Sequence, residues 1–191
     1  MPPEIKGRIN FKPLLEKDLP MLHRWFNSPH VSEWWSIDGN SNPSLEEVTA
    51  KYSPRIAEKE HVDCYIILCG KKPIGMIQAC DLDAYPEEKK TFGIEGKCTG
   101  LDLCIGEEDY VHRGLGSRII HNFLQNVVFR DSSVECAVID PQVENKIAIR
   151  AYEKAGFKYL RTVWYEPDHK HEAIMTLPRS AFIPIKIVES V

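Results

Sequence analysis

Asp140-Pro141-Gln142-Val143-Glu144-Asn145-Lys146-Ile147-Ala148-Ile149-Arg150-Ala151-Tyr152-Glu153-Lys154-Ala155-Gly156-Phe157 is the stretch on which the fold turns. The apolar run Val134 to Asp140 enters it as a buried strand. Asn145 to Ala155 then reads as a helix with Asn145 in the capping position, and Gly156 supplies the left-handed residue that ends it. Phe157 to Tyr165 follows as a strand, and Glu172 to Leu177 as another. A strand, a crossover helix and a second strand in one short span predict a βαβ-like back half.

Upstream, Cys98 to Gly106 alternates, with Leu101, Leu103 and Ile105 on one face and Asp102 and Cys104 on the other. Gly114-Leu115-Gly116-Ser117 opens a helix in which Ile119, Ile120, Phe123, Leu124, Val127 and Val128 form a stripe of helical period. The front half is different. Asp63 to Cys69 and Pro73 to Cys80 are apolar runs around Gly70-Lys71-Lys72, which predicts a hairpin. Ile9 to Pro13 reads as a strand. Leu19, Leu22, Trp25 and Phe26 mark an amphipathic helix, and Ser44-Leu45-Glu46-Glu47 a capping box for another, which Pro54 is expected to bend or end. Asp81 to Lys97 reads as a polar loop. The expected class is α/β, a mixed, mostly antiparallel central sheet flanked by helices.

The chain has 191 residues, of which 43% are hydrophobic and 27% charged, values ordinary for a globular domain. One domain over residues 1–182 is expected, with a tail, 183–191, packed as a strand. Formal net charge is −4, against non-specific nucleic-acid binding, which rests on Lys and Arg. No run approaches the roughly 20 apolar residues that span a bilayer, and the start lacks the pattern of a signal peptide. The six cysteines form no CxxC pair, so buried reduced thiols in a cytoplasmic protein without a metal are expected.

Glycines at the mouth of a helix let backbone N–H groups approach an anion, and the helix N-terminus favours negative charge. The segment lacks the GK[ST] of a P-loop and the third glycine of a dinucleotide fingerprint. Together, Val111-His112-Arg113-Gly114-Leu115-Gly116 and the N-x-x-A-x-x-x-Y-x-x-x-G-F pattern from Asn145 to Phe157 resemble the acetyl-CoA half of the GNAT superfamily of N-acetyltransferases. Val111 stands where that family has Arg or Gln; the contacts there come mainly from backbone N–H groups, and Arg113 offers a nearby charge. Trp25-Phe26-Asn27, His30-Val31-Ser32-Glu33-Trp34-Trp35, Pro73-Ile74-Gly75 and Gly100-Leu101-Asp102 resemble the aminoglycoside 6′-N-acetyltransferase branch. The Glu-Trp-Trp element is shared with acyltransferases of siderophore precursors.

The resemblance implies direct attack of an amine on acetyl-CoA in a ternary complex, with no acyl-enzyme. It assigns Asp102 as base or amine-orienting group and Tyr152 as the acid that protonates the leaving thiolate. Cofactor contacts are implied for Leu103, Cys104 and Ile105 on the strand, for His112, Arg113, Gly114, Leu115, Gly116 and Ser117 in the loop, and for Asn145 and Ala148. Glu33, Trp34, Trp35, Asp81 and Asp140 are candidate contacts for a cationic amine, with Asp83 and Glu107 as further acidic candidates. Trp34 and Trp35 are expected to face opposite ways in an extended segment. A monomer or homodimer is expected, with no nucleic-acid or membrane partner. Two alternatives stay open: another acceptor amine (siderophore precursor, polyamine or protein N-terminus), or an acetyl-CoA-binding domain without catalysis. His169-Lys170-His171 reads as a solvated turn.

Overall fold

The computed structural model describes residues 7–166 and 169–185. Among these the elements run β1 Ile9–Pro13, α1 Leu19–Phe26, the short α2 Pro29–Ser32, α3 Leu45–Ile56, β2 Val62–Cys69, β3 Lys72–Asp81, α4 Pro86–Phe92, β4 Cys98–Ile105, α5 Leu115–Asn126, β5 Cys136–Ile139, α6 Lys146–Lys154, β6 Lys158–Tyr165 and β7 Lys170–Pro178. The strands form one sheet in the order β1-β2-β3-β4-β5-β7-β6. β4 and β5 run parallel, and the other neighbouring pairs are antiparallel.

Local chemistry sets most boundaries. Ser44 Oγ accepts the Glu47 N–H at 3.2 Å while Glu47 Oε2 accepts the Ser44 N–H at 2.7 Å, so the capping box starts α3 as its sequence predicts. Gly70, at φ 62°, turns β2 into β3. The alternation in β4 sorts its side chains between two cores. Leu101, Leu103 and Ile105 pack with Ile119, Ile120 and Phe123 of α5, while Cys104 joins Trp25, Phe26 and Tyr52 beneath α1 and α3.

Several expectations are corrected. Residues 81–97 are not a plain loop: a turn at Leu82–Ala84 leads into α4, which buries Phe92 with Leu82 and Cys98. Pro86 sits in the first turn of α4 and Gly93, at φ 68°, ends it. Pro54 lies inside α3, two residues from its end, where the missing N–H disturbs little. α5 stops at Asn126, so Val127 and Val128 extend the apolar stripe from the turn beyond it. Trp34 and Trp35 are not extended: both N–H groups bond to the Val31 carbonyl at 2.9 Å, which makes a helical turn after α2. Of the tail, residues 183–185 lie in no strand. They run beside α5, where Gln125 bonds both the N–H (2.9 Å) and the carbonyl (3.1 Å) of Ile185. Residues 186–191 lie outside the described residues.

Candidate active site

The site is made by a strand pair that parts. β5 pairs with β4 only through Cys98↔Cys136, Thr99↔Ala137 and Gly100↔Val138. Beyond Ile139 the chain stays with β7 instead. The Ala173 N–H donates to Pro141 O at 2.8 Å, and the Val143 N–H to His171 O at 3.0 Å. The edge of β4 from Leu101 to Ile105 therefore has no strand beside it on the β5 side, and its backbone groups face a widening cleft. Through that gap the two sides of the sheet meet.

The far end of the gap is built from backbone. Gly114 caps α5 at φ 70°, a conformation that favours glycine. Gly116 sits so close to α6 that a Cβ there would lie 3.3 Å from the Ala151 methyl, which is how α5 and α6 approach. Arg113 is held by its Nε–H on the Asp109 carbonyl at 3.2 Å, and its buried Nη1 has no hydrogen-bond partner within the protein. A buried guanidinium nitrogen with spare donors beside free helical N–H groups fits a phosphate-bearing ligand. Asn145 Oδ1 accepts the Ala148 N–H at 3.0 Å and starts α6, whose Tyr152 is 9% exposed.

The floor of the cleft is acidic. Burial pushes the Asp102 carboxyl up, opposed by the Gln78 hydrogen bond and by Arg55. Asp140, just past β5, is raised well above the usual range by burial and then by Asp102, Glu172 and Glu88. Glu88 of α4 is raised by burial and by Asp102. Burial, Asp102 and Asp140 also raise the Tyr152 phenol, which stays protonated through neutral pH. Such a group of carboxylates suits a ligand that brings positive charge, because each ammonium relieves the mutual repulsion. It also strengthens each carboxylate as a proton acceptor.

Residues 14–165 match the family model described as an acetyltransferase (GNAT) domain. The chain belongs to the GNAT acetyltransferase family. Its GNAT relatives include the aminoglycoside N(6′)-acetyltransferase type 1 of Klebsiella pneumoniae, 31% identical over 159 residues, which are 81% of this chain and 76% of the relative. The N-hydroxyputrescine acetyltransferase of Acinetobacter baumannii is 27% identical over 131 residues, 67% of this chain and 58% of the relative. Among solved structures, AAC(6′)-Ib in complex with ribostamycin and coenzyme A superposes with a TM-score of 0.77 at 28% identity, over 95% of this chain and 98% of that one. The chain is thus a GNAT acetyltransferase similar to aminoglycoside 6′-N-acetyltransferases, and its parted sheet is the GNAT fold.

This GNAT structure brings some of the residues singled out in the sequence together and leaves others apart. Asp102, Asp140 and Tyr152 converge on the gap, each within electrostatic reach of the others. Leu103, Cys104 and Ile105 lie on the unpaired stretch of β4; burial pushes the Cys104 thiol up to about 12, so it is no thiolate nucleophile. His112 (φ 59°), Arg113, Gly114, Leu115, Gly116 and Ser117 form the turn into α5, with Leu115 buried as its anchor. Trp35 stacks on Phe26, ring centroids 5.4 Å apart, and belongs to the core under α1, whereas the Trp34 carbonyl accepts from Gln142 across the cleft at 3.4 Å. Glu33 is exposed at the end of α2. Asp81 accepts the Asp83 N–H at 3.1 Å, and Asp83 is paired with Lys89. Glu107 is taken by Arg24 and by the Trp25 indole N–H at 2.8 Å, which hold its carboxyl below the usual range.

The sequence reading missed Gln78, Arg55 and Glu88. Gln78 is opposite Asp102 in the β3–β4 register, a relation invisible until the intervening segment is known. Glu88 had a signal: Pro86, two glutamates, two lysines and Gly93 mark a capped helix with charges suited to its dipole. Among the described residues, no group of three or more His, Cys, Asp or Glu side chains is arranged to hold a metal.

Proposed function

We propose that this protein transfers the acetyl group of acetyl-CoA to the 6′-amine of an aminoglycoside, by direct attack in a ternary complex. The observation that carries the reading is the set of raised carboxylates, Asp102, Asp140 and Glu88, gathered where β4 leaves β5. The thioester supplies an activated acyl carbon. Asp102 takes the proton of the attacking ammonium and orients its nitrogen. A backbone N–H on the open edge of β4, between Leu103 and Ile105, faces the developing oxyanion. The Tyr152 hydroxyl gives its proton to the sulfur as the C–S bond breaks and the C–N bond forms. Turn residues 112–117 and the caps of α5 and α6 hold the diphosphate end; Asp140, Glu88 and the Trp34 side of the cleft hold the remaining ammonium groups.

The identity to aminoglycoside N(6′)-acetyltransferases supports this acceptor, and the relative named for N-hydroxyputrescine supports a second reading, a linear polyamine-like acceptor. Free-thiol release from acetyl-CoA with kanamycin, tobramycin, spermidine and a lysine-terminated peptide separates the two. Turnover of the aminoglycosides, with the product acetylated at the 6′ nitrogen, is expected. Turnover of spermidine alone would move the assignment to polyamines, and thiol release unchanged in Asp102→Asn would end the role given to Asp102.

A further inference from the structure

Behind Asp102 stands a line of side chains from three elements, β2, β3 and α3. Cys64, Gln78 and Asp102 form one cross-sheet row, in register on β2, β3 and β4. Gln78 is 9% exposed, and its Nε2 donates to Asp102 Oδ2 at 2.8 Å. Its Oε1 accepts from Arg55 Nη1 at 2.9 Å and from the Cys64 thiol at 3.8 Å. Arg55 comes down from α3 with its side chain 11% exposed. Its Nε donates to Glu60 at 2.9 Å, and its guanidinium lies over the Tyr52 ring, 5.4 Å from the centroid.

An amide has two faces of opposite character, and a buried one takes whichever orientation its neighbours dictate. Arg55 is a donor only. Turning the Gln78 amide over would set N–H against the guanidinium and C=O against the Asp102 carboxylate, losing both bonds and adding two repulsions. We propose that Arg55 is a positioning residue for acetyl transfer: it locks the Gln78 amide so that it donates to Oδ2 of Asp102 and leaves Oδ1 for the acceptor amine. This proposal rests on Asp102 acting on the amine.

The spacer matters. A guanidinium bonded directly to Asp102 would compete with the incoming ammonium for both oxygens, usually in a two-pronged grip. With Gln78 between them, Asp102 receives one oriented donor and a share of the Arg55 charge, and keeps one oxygen for the substrate. The other groups facing Asp102 are Tyr52 on α3, Cys64 on β2, Cys80 on β3, Cys104 on β4, Glu88 on α4, Asp140 past β5 and Tyr152 on α6. All are neutral or acidic, so Arg55 is the cation on this side of the cleft that offsets them.

The test is a carboxyl-carbon NMR titration of protein carrying 13C-carboxyl aspartate, with the Asp102 signal assigned by its loss in Asp102→Asn. It is run alongside kcat and KM for the amine turned over fastest in the panel above. In Arg55→Met the Asp102 midpoint is expected to rise by about one pH unit and kcat to fall about tenfold, with KM for acetyl-CoA unchanged. Arg55→Lys, which keeps a donor and a charge, should recover part of both. Gln78→Met should reproduce the Arg55→Met shift, and the double variant should add little to it. An unmoved midpoint in both Arg55→Met and Gln78→Met overturns the proposal, as does an Arg55→Lys variant no better than Arg55→Met. Should Arg55→Met fail to fold, the Arg55→Lys and Gln78→Met titrations decide alone. Failure of the underlying role looks different: Asp102→Asn would then turn over normally, whatever the titrations show.

Discussion

The two sides of the cleft are made of different material. On the α5–α6 side the groups that matter are backbone: helix N–H groups, a glycine at φ 70° and the open edge of β4. On the α3–α4 side they are side chains from separate elements, Arg55, Gln78, Glu88 and Asp102, brought together by register and packing. Backbone sites are specified by residues close in sequence, because a cap or a turn is a local event. Side-chain sites are specified by how distant strands align, so a one-residue slip in β3 would send Gln78 to the opposite face.

Substitutions on either side should separate cleanly. The largest effect belongs to Asp102→Asn, expected to lower kcat/KM about a thousandfold with acetyl-CoA affinity intact. Thiol-release kinetics together with calorimetric titration of acetyl-CoA would show both. Tyr152→Phe should cost about a hundredfold in kcat and little in KM, since only the proton for the leaving sulfur is removed. Retention of full kcat would assign Tyr152 to packing. On the backbone side, Gly114→Val places a β-branched residue at positive φ. It should raise KM for acetyl-CoA about tenfold while leaving the amine KM alone. An equal change in both constants would mean that the two sides do not act separately.

A smaller effect concerns stability. Asp102, Asp140 and Glu88 all have carboxyls raised in the folded protein. Between the usual carboxylate range near pH 4 and those raised values, the native state holds protons that the unfolded chain has released. Stability from these groups is therefore full at the acid end of that window and falls as pH rises through it. Melting at pH 5.5 should exceed melting at pH 7.5 by a few degrees, and a bound polyamine should close part of the difference. A melting temperature that climbs over this interval would show that other groups outweigh the cleft.

The sequence carried the back half almost residue by residue. Asn145 caps α6, Gly156 (φ 103°) follows it, and Leu101, Leu103 and Ile105 face the core under α5. Asp102, Tyr152 and Asp140, each singled out in the sequence, lie within electrostatic reach of one another in the structure. The sequence stopped short where contacts are long-range. Gln78 and Asp102 are 24 residues apart, joined through a segment whose helix was read as loop. Glu107, acidic and near the turn into α5, looks available in sequence but is held by Arg24 and Trp25 from α1. Availability of a carboxylate depends on its neighbours in space, and spacing along the chain does not report them.

Only three register pairs join β4 to β5. The sheet is therefore one wall with a slit in it, held together across the slit by packing as much as by strand pairing. The core beneath α5 and α6 bridges that junction, taking Ile67, Ile77 and Leu101 from one side and Ala137, Ile139 and Met175 from the other, whereas the core beneath α1 and α3 draws on the β1–β4 side. The α3–α4 face can change its side chains while the backbone turn into α5 stays as it is, because the two sit on opposite faces of the sheet. Relatives named for aminoglycosides and for N-hydroxyputrescine are what such an arrangement permits: one slit, many doors.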